Sequence, residues 1–178
     1  GRILDVIKSR EAEGYSYDTA QASFEILARR ELGQMPDFFE VKRYRVTVER
    51  RKNKYNKMVS LSEAVVVVKV GDDKRLSVSE SMDETGSDRG PVNALAKALA
   101  KDLGQYQDMI ADMRLVDFKV RITQGGTEAV TRVIIDSEDA QGRRWATVGV
   151  SPNIVDASFE ALIEAMQWKI LHDTRTGA

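Results

Sequence analysis

Three strands followed by a helix occur twice in this sequence, and that doubling limits the possible folds more than any other feature. From Val41 the apolar period is two: Tyr44, Val46 and Val48 alternate with charged residues, as on a half-exposed strand. Ala64-Val65-Val66-Val67-Val68 is apolar throughout and mostly β-branched, which suits a central strand. Gly71-Asp72-Asp73-Lys74 reads as a turn, Leu76 and Val78 open a third strand, and Gly90-Pro91 starts a helix that runs through Leu103. The same order then returns. Leu115–Ile122 alternates, with Val116, Phe118, Val120 and Ile122 on one face. Gly125-Gly126 turns the chain, Val130–Ile135 is a strand, Gln141-Gly142 a turn, Trp145–Val150 a strand, and Ile154 to about Leu171 a helix. Glu63-Ala64-Val65 matches Glu128-Ala129-Val130 at an offset of 65, and Ala94, Ala98 and Leu99 match Ala157, Ala161 and Leu162 at 63. The reading is an α+β fold of two repeated βββα units related by pseudo-two-fold symmetry.

A helical hairpin precedes the repeat. Leu4, Ile7 and Glu11 share a stripe that Gly14 ends. Ser16 or Asp18 is placed to cap a second helix, in which Ala20, Phe24 and Leu27 recur before Gly33. This hairpin is too small to hold a core alone, so it must pack on the rest of the chain or on a part outside it. The division expected is a helical linker subdomain over 1–36 and a second domain over 37–178, with repeat units at 41–104 and 113–172.

With 42% apolar residues, 178 residues can bury a core without staples. The absence of cysteine removes disulfides, thiolate metal sites and thiol nucleophiles, and suits a reducing cytoplasm. A net charge of −1 gives no global attraction to nucleic acid or an acidic membrane, and no apolar run approaches the ~18 residues of a span. The opening Gly1-Arg2-Ile3-Leu4 lacks an initiator Met and reads as a fragment of something longer. With one histidine, His172, no two-histidine metal site is available, and no nucleophile–base pair stands out, so a small stand-alone enzyme is disfavoured.

Four motifs, in order, carry a resemblance. Lys8-x-x-Glu11-x-x-Gly14-Tyr15-x-Tyr17-x-x-Ala20-x-x-Ser23-Phe24 resembles the segment after the catalytic barrel of long, two-part citramalate synthases. Gly90-Pro91-Val92-Asn93-Ala94-Leu95 resembles the glycine-proline signature of the regulatory domain shared with 2-isopropylmalate synthases. Asp117-Phe118-Lys119-Val120-Arg121-Ile122 resembles that domain's fourth strand, where tyrosine is more usual than Phe118. Trp145-x-Thr147-Val148-Gly149-Val150-Ser151-x-Asn153-Ile154 is closer to the citramalate-type branch. The approach Gly86-Ser87-Asp88-Arg89-Gly90 departs from the small-residue pattern usual there.

The resemblance implies a regulatory, dimer-forming domain. Its effector would be isoleucine, or leucine if the parent belongs to the other branch. The parent acyltransferase would condense acetyl-CoA with a 2-oxo acid at a divalent metal in a barrel absent here, and the fragment itself would need no cofactor. Gly90, Val92, Asn93 and Ala94 would receive the effector's carboxylate and ammonium at a helix start. Leu115, Phe118 and Ile122 would wall its aliphatic part, with Ala129, Thr131, Val148 and Val150 as further lining. The hairpin would carry the signal to the barrel. By spacing alone, Gly90-Pro91 is better read as a plain helix start, and Leu115, Phe118 and Ile122 as ordinary core.

The remaining features have plainer readings. Lys42, Arg43, Arg45, Arg50, Arg51, Lys52, Lys54 and Lys57, with Tyr44 and Tyr55 among them, form a basic cluster over 42–57. It suggests a nucleic-acid surface, but is better read as a solvated strand and connection given the near-zero net charge, so neither nucleic acid nor membrane is an expected partner. Ser79–Asp88 reads as a polar, acidic loop, and Trp145 and Trp168 as core or interface anchors. Asp136, Glu138 and Asp139 do not have calcium-loop spacing.

Overall fold

The structure, a computed structural model, describes residues 1–83, 90–125 and 128–176. It is α+β: two three-stranded antiparallel sheets, ordered β1-β2-β3 and β4-β5-β6, each completed by a long helix, with two helices ahead of the first strand. Both βββα units expected from the repeat are present. The chain forms two compact units, residues 37–111 and residues 1–36 with 112–178.

In the 37–111 unit, β1 (Glu40–Lys52), β2 (Met58–Val70) and β3 (Asp73–Asp83) form a meander. Helix α3 (Gly90–Lys101) lies on one face. The register sets Val46 opposite Ala64 and Ala64 opposite Ser79, so Ala64, Val66 and Val68 share a face with Ser77, Ser79 and Ser81. All six are buried, and so are Val92, Leu95, Ala98 and Leu99 of the helix. Small serines on β3 allow close approach where larger side chains would hold α3 off. The opposite face leaves Leu76 and Met82 more than half exposed. After α3, a 3-10 turn (Gly104–Tyr106) and the short α4 (Gln107–Ile110) close the unit, with Tyr106 edge-on to Phe38. Of the loop expected over Ser79–Asp88, residues 79–83 belong to β3 and the rest lie outside the described residues, as does part of the Gly125-Gly126 turn.

In the other unit, α1 (Arg2–Glu13) and α2 (Gln21–Glu31) pack with β4 (Arg114–Gly125), β5 (Glu128–Glu138), β6 (Arg144–Ser151) and α5 (Ile154–Thr176). Helix α1 ends as expected at Gly14, whose φ of 114° favours glycine, while the following N–H closes back on Arg10. The start of α2 differs from expectation. Ala20 holds the cap position and no side chain caps it, so Ser16 and Asp18 do not serve. Val116 also departs from the expected alternation. The register shifts between Leu115 and Asp117, so Leu115 pairs with Ser137 while Phe118, Val120 and Ile122 pair with Ile135, Val133 and Thr131.

Helix α5 meets β6 through a ladder of small groups. Ala157, Ala161 and Ala165 recur every four residues, all buried, opposite Gly149, Thr147 and Trp145. The Thr147 hydroxyl donates to the Ala161 carbonyl at 2.6 Å, and Trp145 Nε1 to the Ala165 carbonyl at 3.0 Å. At Gly149 the helix backbone is so near that a Cβ would stand 1.9 Å from the Ala157 carbonyl oxygen.

The free edge of β6 is covered rather than left open, which removes a site for stray strand pairing. The Val148 N–H donates to Ser23 Oγ of α2 at 2.9 Å, and the Val150 N–H is bonded by Glu160 of α5. Tyr15, Tyr17, Ala20, Leu27 and Val148 then build a core between the N-terminal helices and the sheet.

Candidate functional site

The residues expected to bind an effector fall into three places. Gly90, Val92, Asn93 and Ala94 form the first turn of α3 in the 37–111 unit. Gly90, Val92 and Ala94 are buried, and Asn93 is exposed. In the other unit, the register puts Leu115, Phe118, Ile122, Ala129 and Thr131 on the sheet face that carries α5. Ile122 there is 79% exposed, because α5 lies over β5 and β6 and leaves the outer end of β4 bare. Val148 and Val150 point to the opposite face, into the core built with α1 and α2.

That core opens into a cleft of about 270 Å³ which the sequence reading did not single out. Its polar walls are Arg10, Tyr15, Arg30, Glu160 and Glu164, and its apolar floor includes Leu27, Val148 and Ile163. Glu160 and Glu164 are one helical turn apart on α5, so both face the N-terminal helices. The Tyr15 hydroxyl donates to Glu160, and Ser23 Oγ to Glu164 at 2.5 Å. Arg30 Nη1 stands 3.5 Å from Glu164 and donates through Nη2 to Gln167 at 3.0 Å. The Arg10 guanidinium rides over the Tyr15 ring, 4.9 Å from its centroid.

Burial dominates the protonation of this cleft. It raises the Glu160 carboxyl, against the pull of the Tyr15 hydroxyl and the Val150 N–H. It pushes Glu164 up to about 7, with the Ser23 hydroxyl and Arg30 opposing and Glu160 adding to the rise. It also raises the Tyr15 hydroxyl, helped by Glu160, and Tyr17 to about 12. Between an unfolded value near 4.5 and about 7, the folded chain therefore holds one proton more than the unfolded chain at Glu164. Stability falls as pH rises through that window, by on the order of 3 kcal/mol. Urea denaturation at pH 5 and pH 8 should show the loss, and Glu164→Gln should flatten it. An equal slope in the variant would assign the effect elsewhere.

A second polar cluster ties α5 to the β5–β6 turn. Lys169 Nζ reaches Asp173 at 2.5 Å, Asp112 at 3.3 Å and Asp139 at 3.6 Å, while Arg143 bridges Asp139 and Asp173. Burial would raise Asp139, but the Arg143 backbone N–H and guanidinium, with Lys169, hold it low. Asp136 and Glu138 lie in β5, and among the described residues no group of three or more His, Asp or Glu side chains could hold a metal. Trp145 and Trp168 are packing anchors. Their rings stack at 5.0 Å, Trp168 stacks on His172, and Glu25 of α2 accepts from Trp168 Nε1 at 3.2 Å and pairs with His172. The eight cations of the basic cluster are all exposed along β1 and its turn. No helix among the described residues is long and apolar enough to cross a membrane.

Two βββα units built on one plan, the second joined by a helical pair, define the class: an α+β domain made of two repeats. Residues 18–170 match the family described as the LeuA allosteric (dimerisation) domain, and the chain belongs to that family. It is 41% identical over 170 residues to an (R)-citramalate synthase of Geobacter sulfurreducens, covering 94% of this chain and 30% of that protein. It is 37% identical over 179 residues to the (R)-citramalate synthase of Aquifex aeolicus, covering 99% of this chain and 32% of the relative. A 2-isopropylmalate synthase of Pseudoalteromonas atlantica is 32% identical over 167 residues, covering 88% of this chain and 29% of its own length. The chain thus spans about a third of the length of these relatives.

Proposed function

We propose that this chain is the amino-acid-binding, dimer-forming regulatory domain of a cytoplasmic citramalate synthase and gives it feedback inhibition by isoleucine. One observation carries the reading: similarity to citramalate synthases extends along nearly the whole chain yet takes in under a third of the Geobacter sulfurreducens relative. The condensation of acetyl-CoA with a 2-oxo acid at a divalent metal is assigned to a separate barrel. Isoleucine is preferred to leucine because the citramalate synthases quoted above are 41% and 37% identical, against 32% for the 2-isopropylmalate synthase.

The first turn of α3 is the proposed anchor for the effector. The backbone N–H groups of a first helical turn and the positive end of the helix dipole suit a carboxylate, and the exposed Asn93 amide oxygen suits an ammonium. Leu76, Met82 and Ile122 leave apolar sheet surface uncovered, which supports assembly with a second copy. The N-terminal helices, hydrogen-bonded to β6 and α5, supply a body that can move with the domain and pass the signal on.

The parent synthase tests this. Millimolar isoleucine should inhibit citramalate formation, and deleting the region equivalent to residues 37–178 should leave an active enzyme that ignores isoleucine. Inhibition by leucine alone would favour the 2-isopropylmalate reading, and inhibition by neither would remove the regulatory one.

A further inference from the structure

The cleft between the N-terminal helices and α5 has features that sealing the β6 edge does not require. Of the two edge N–H groups capped there, that of Val148 is bonded by the neutral Ser23 hydroxyl and that of Val150 by Glu160, so the edge cap uses one carboxylate and no cation. The cleft nevertheless holds two carboxylates and two guanidinium groups around an open hollow. The carboxylates' partners are two hydroxyls, one backbone N–H and the long contact to Arg30 at 3.5 Å. Among the described residues no closer cation meets either carboxylate, although buried carboxylates are costly without one. Arg10 faces the Tyr15 ring rather than a carboxylate. Arg30, with 46% of its side chain exposed, sits where solvent enters. Positive and negative groups are therefore both present, and Leu27, Val148 and Ile163 provide an apolar wall beside them.

We propose that this cleft is a second small-molecule site, separate from the start of α3, that takes a zwitterionic α-amino acid with an apolar side chain. The ammonium sits between Glu160 and Glu164 and supplies a closer cation than the Arg30 contact at 3.5 Å. The carboxylate meets Arg10 and Arg30, and the side chain lies on Leu27, Val148 and Ile163. Because every contact belongs to residues 1–36 and 112–178, ligand here clamps the N-terminal helices to α5. The site goes beyond the function proposed above and does not depend on it.

Calorimetry tests the assignment with L-leucine, isoamylamine (no carboxylate) and 4-methylpentanoate (no ammonium), in the wild-type chain and in Asn93→Ala, which isolates the cleft. Leucine should bind in both, and each truncated probe at least tenfold more weakly. Glu160→Gln with Glu164→Gln, which keeps the shape and one acceptor oxygen on each side chain, should weaken leucine at least tenfold in the Asn93→Ala background. A second readout needs no fold-sensitive variant: an ammonium beside Glu164 drives a proton off it, so at pH 7 the wild-type heat should differ between phosphate and Tris buffers. No leucine binding in Asn93→Ala, equal binding of the amine, or undiminished binding in the double Gln variant would overturn the second site. Loss in Asn93→Ala with full binding in the Gln variant would overturn it while leaving the α3 site standing. The reverse pattern would keep the cleft and remove the α3 site.

Discussion

Gly149→Ala should destabilise the chain by about 3 kcal/mol or more, at the upper end of overpacking effects. The new methyl's three nearest neighbours would all be helix backbone: the Ala157 carbonyl oxygen at 1.9 Å, its carbon at 2.9 Å and the Ala161 nitrogen at 2.9 Å. No side-chain rotation relieves that. Relief requires α5 to lift from β6, which breaks the Thr147 and Trp145 bonds to the helix carbonyls and exposes the alanine stripe. The melting temperature should drop by roughly 10 °C. A loss below about 0.5 kcal/mol in denaturant would mean that α5 does not ride this close to the sheet.

Lys169→Ala should cost about 3–5 kcal/mol, the range for breaking a buried pair from one side. Its side chain is 3% exposed and faces three carboxylates, and its removal leaves Arg143 alone against Asp112, Asp139 and Asp173. Lys169→Met separates charge from packing, since it keeps most of the volume. It should be nearly as destabilising. Combining it with Asp139→Asn should cost less than the sum of the two by 1 kcal/mol or more, because the second change removes a charge that the first leaves unmatched. Strict additivity would show that the ion cluster contributes little. Asp139, held low, adds its share only above its unfolded pKa, so this stabilisation fades as pH falls below about 4.

The repeat was legible because strand and helix periods are local properties. Ala64 to Val68 and the Ala157/Ala161/Leu162 pattern announce a central strand and a covering helix without knowledge of anything distant. The bulge after Leu115 was not, since a register slip is decided by the partner strand: Val116 fits the alternation as well as its neighbours until Ser137 is known to lie opposite Leu115. Nor was the uncapped start of α2 visible, since Ser16 and Asp18 are suitable caps by type and Ala20 is not. The cleft was hidden for a further reason. Ser23 and Glu164 are 141 residues apart, Tyr15 and Glu160 are 145 apart, and no local pattern links them. One signal was available: Glu160 and Glu164, one turn apart, interrupt the otherwise apolar stretch from Phe159 to Met166. The repeat also could not say that the effector residues expected on β6, Val148 and Val150, face away from those expected on β4.

The start of α3 as an anchor for a free amino acid is the claim on which the function rests. Calorimetric titration of isoleucine into the chain at pH 7.5, beside Asn93→Ala, tests it most directly. The account predicts saturable heat at millimolar ligand or below, with one binding site fewer in Asn93→Ala than in the wild-type chain; no heat and no melting shift at millimolar isoleucine or leucine, or an unchanged number of sites in the variant, would contradict it.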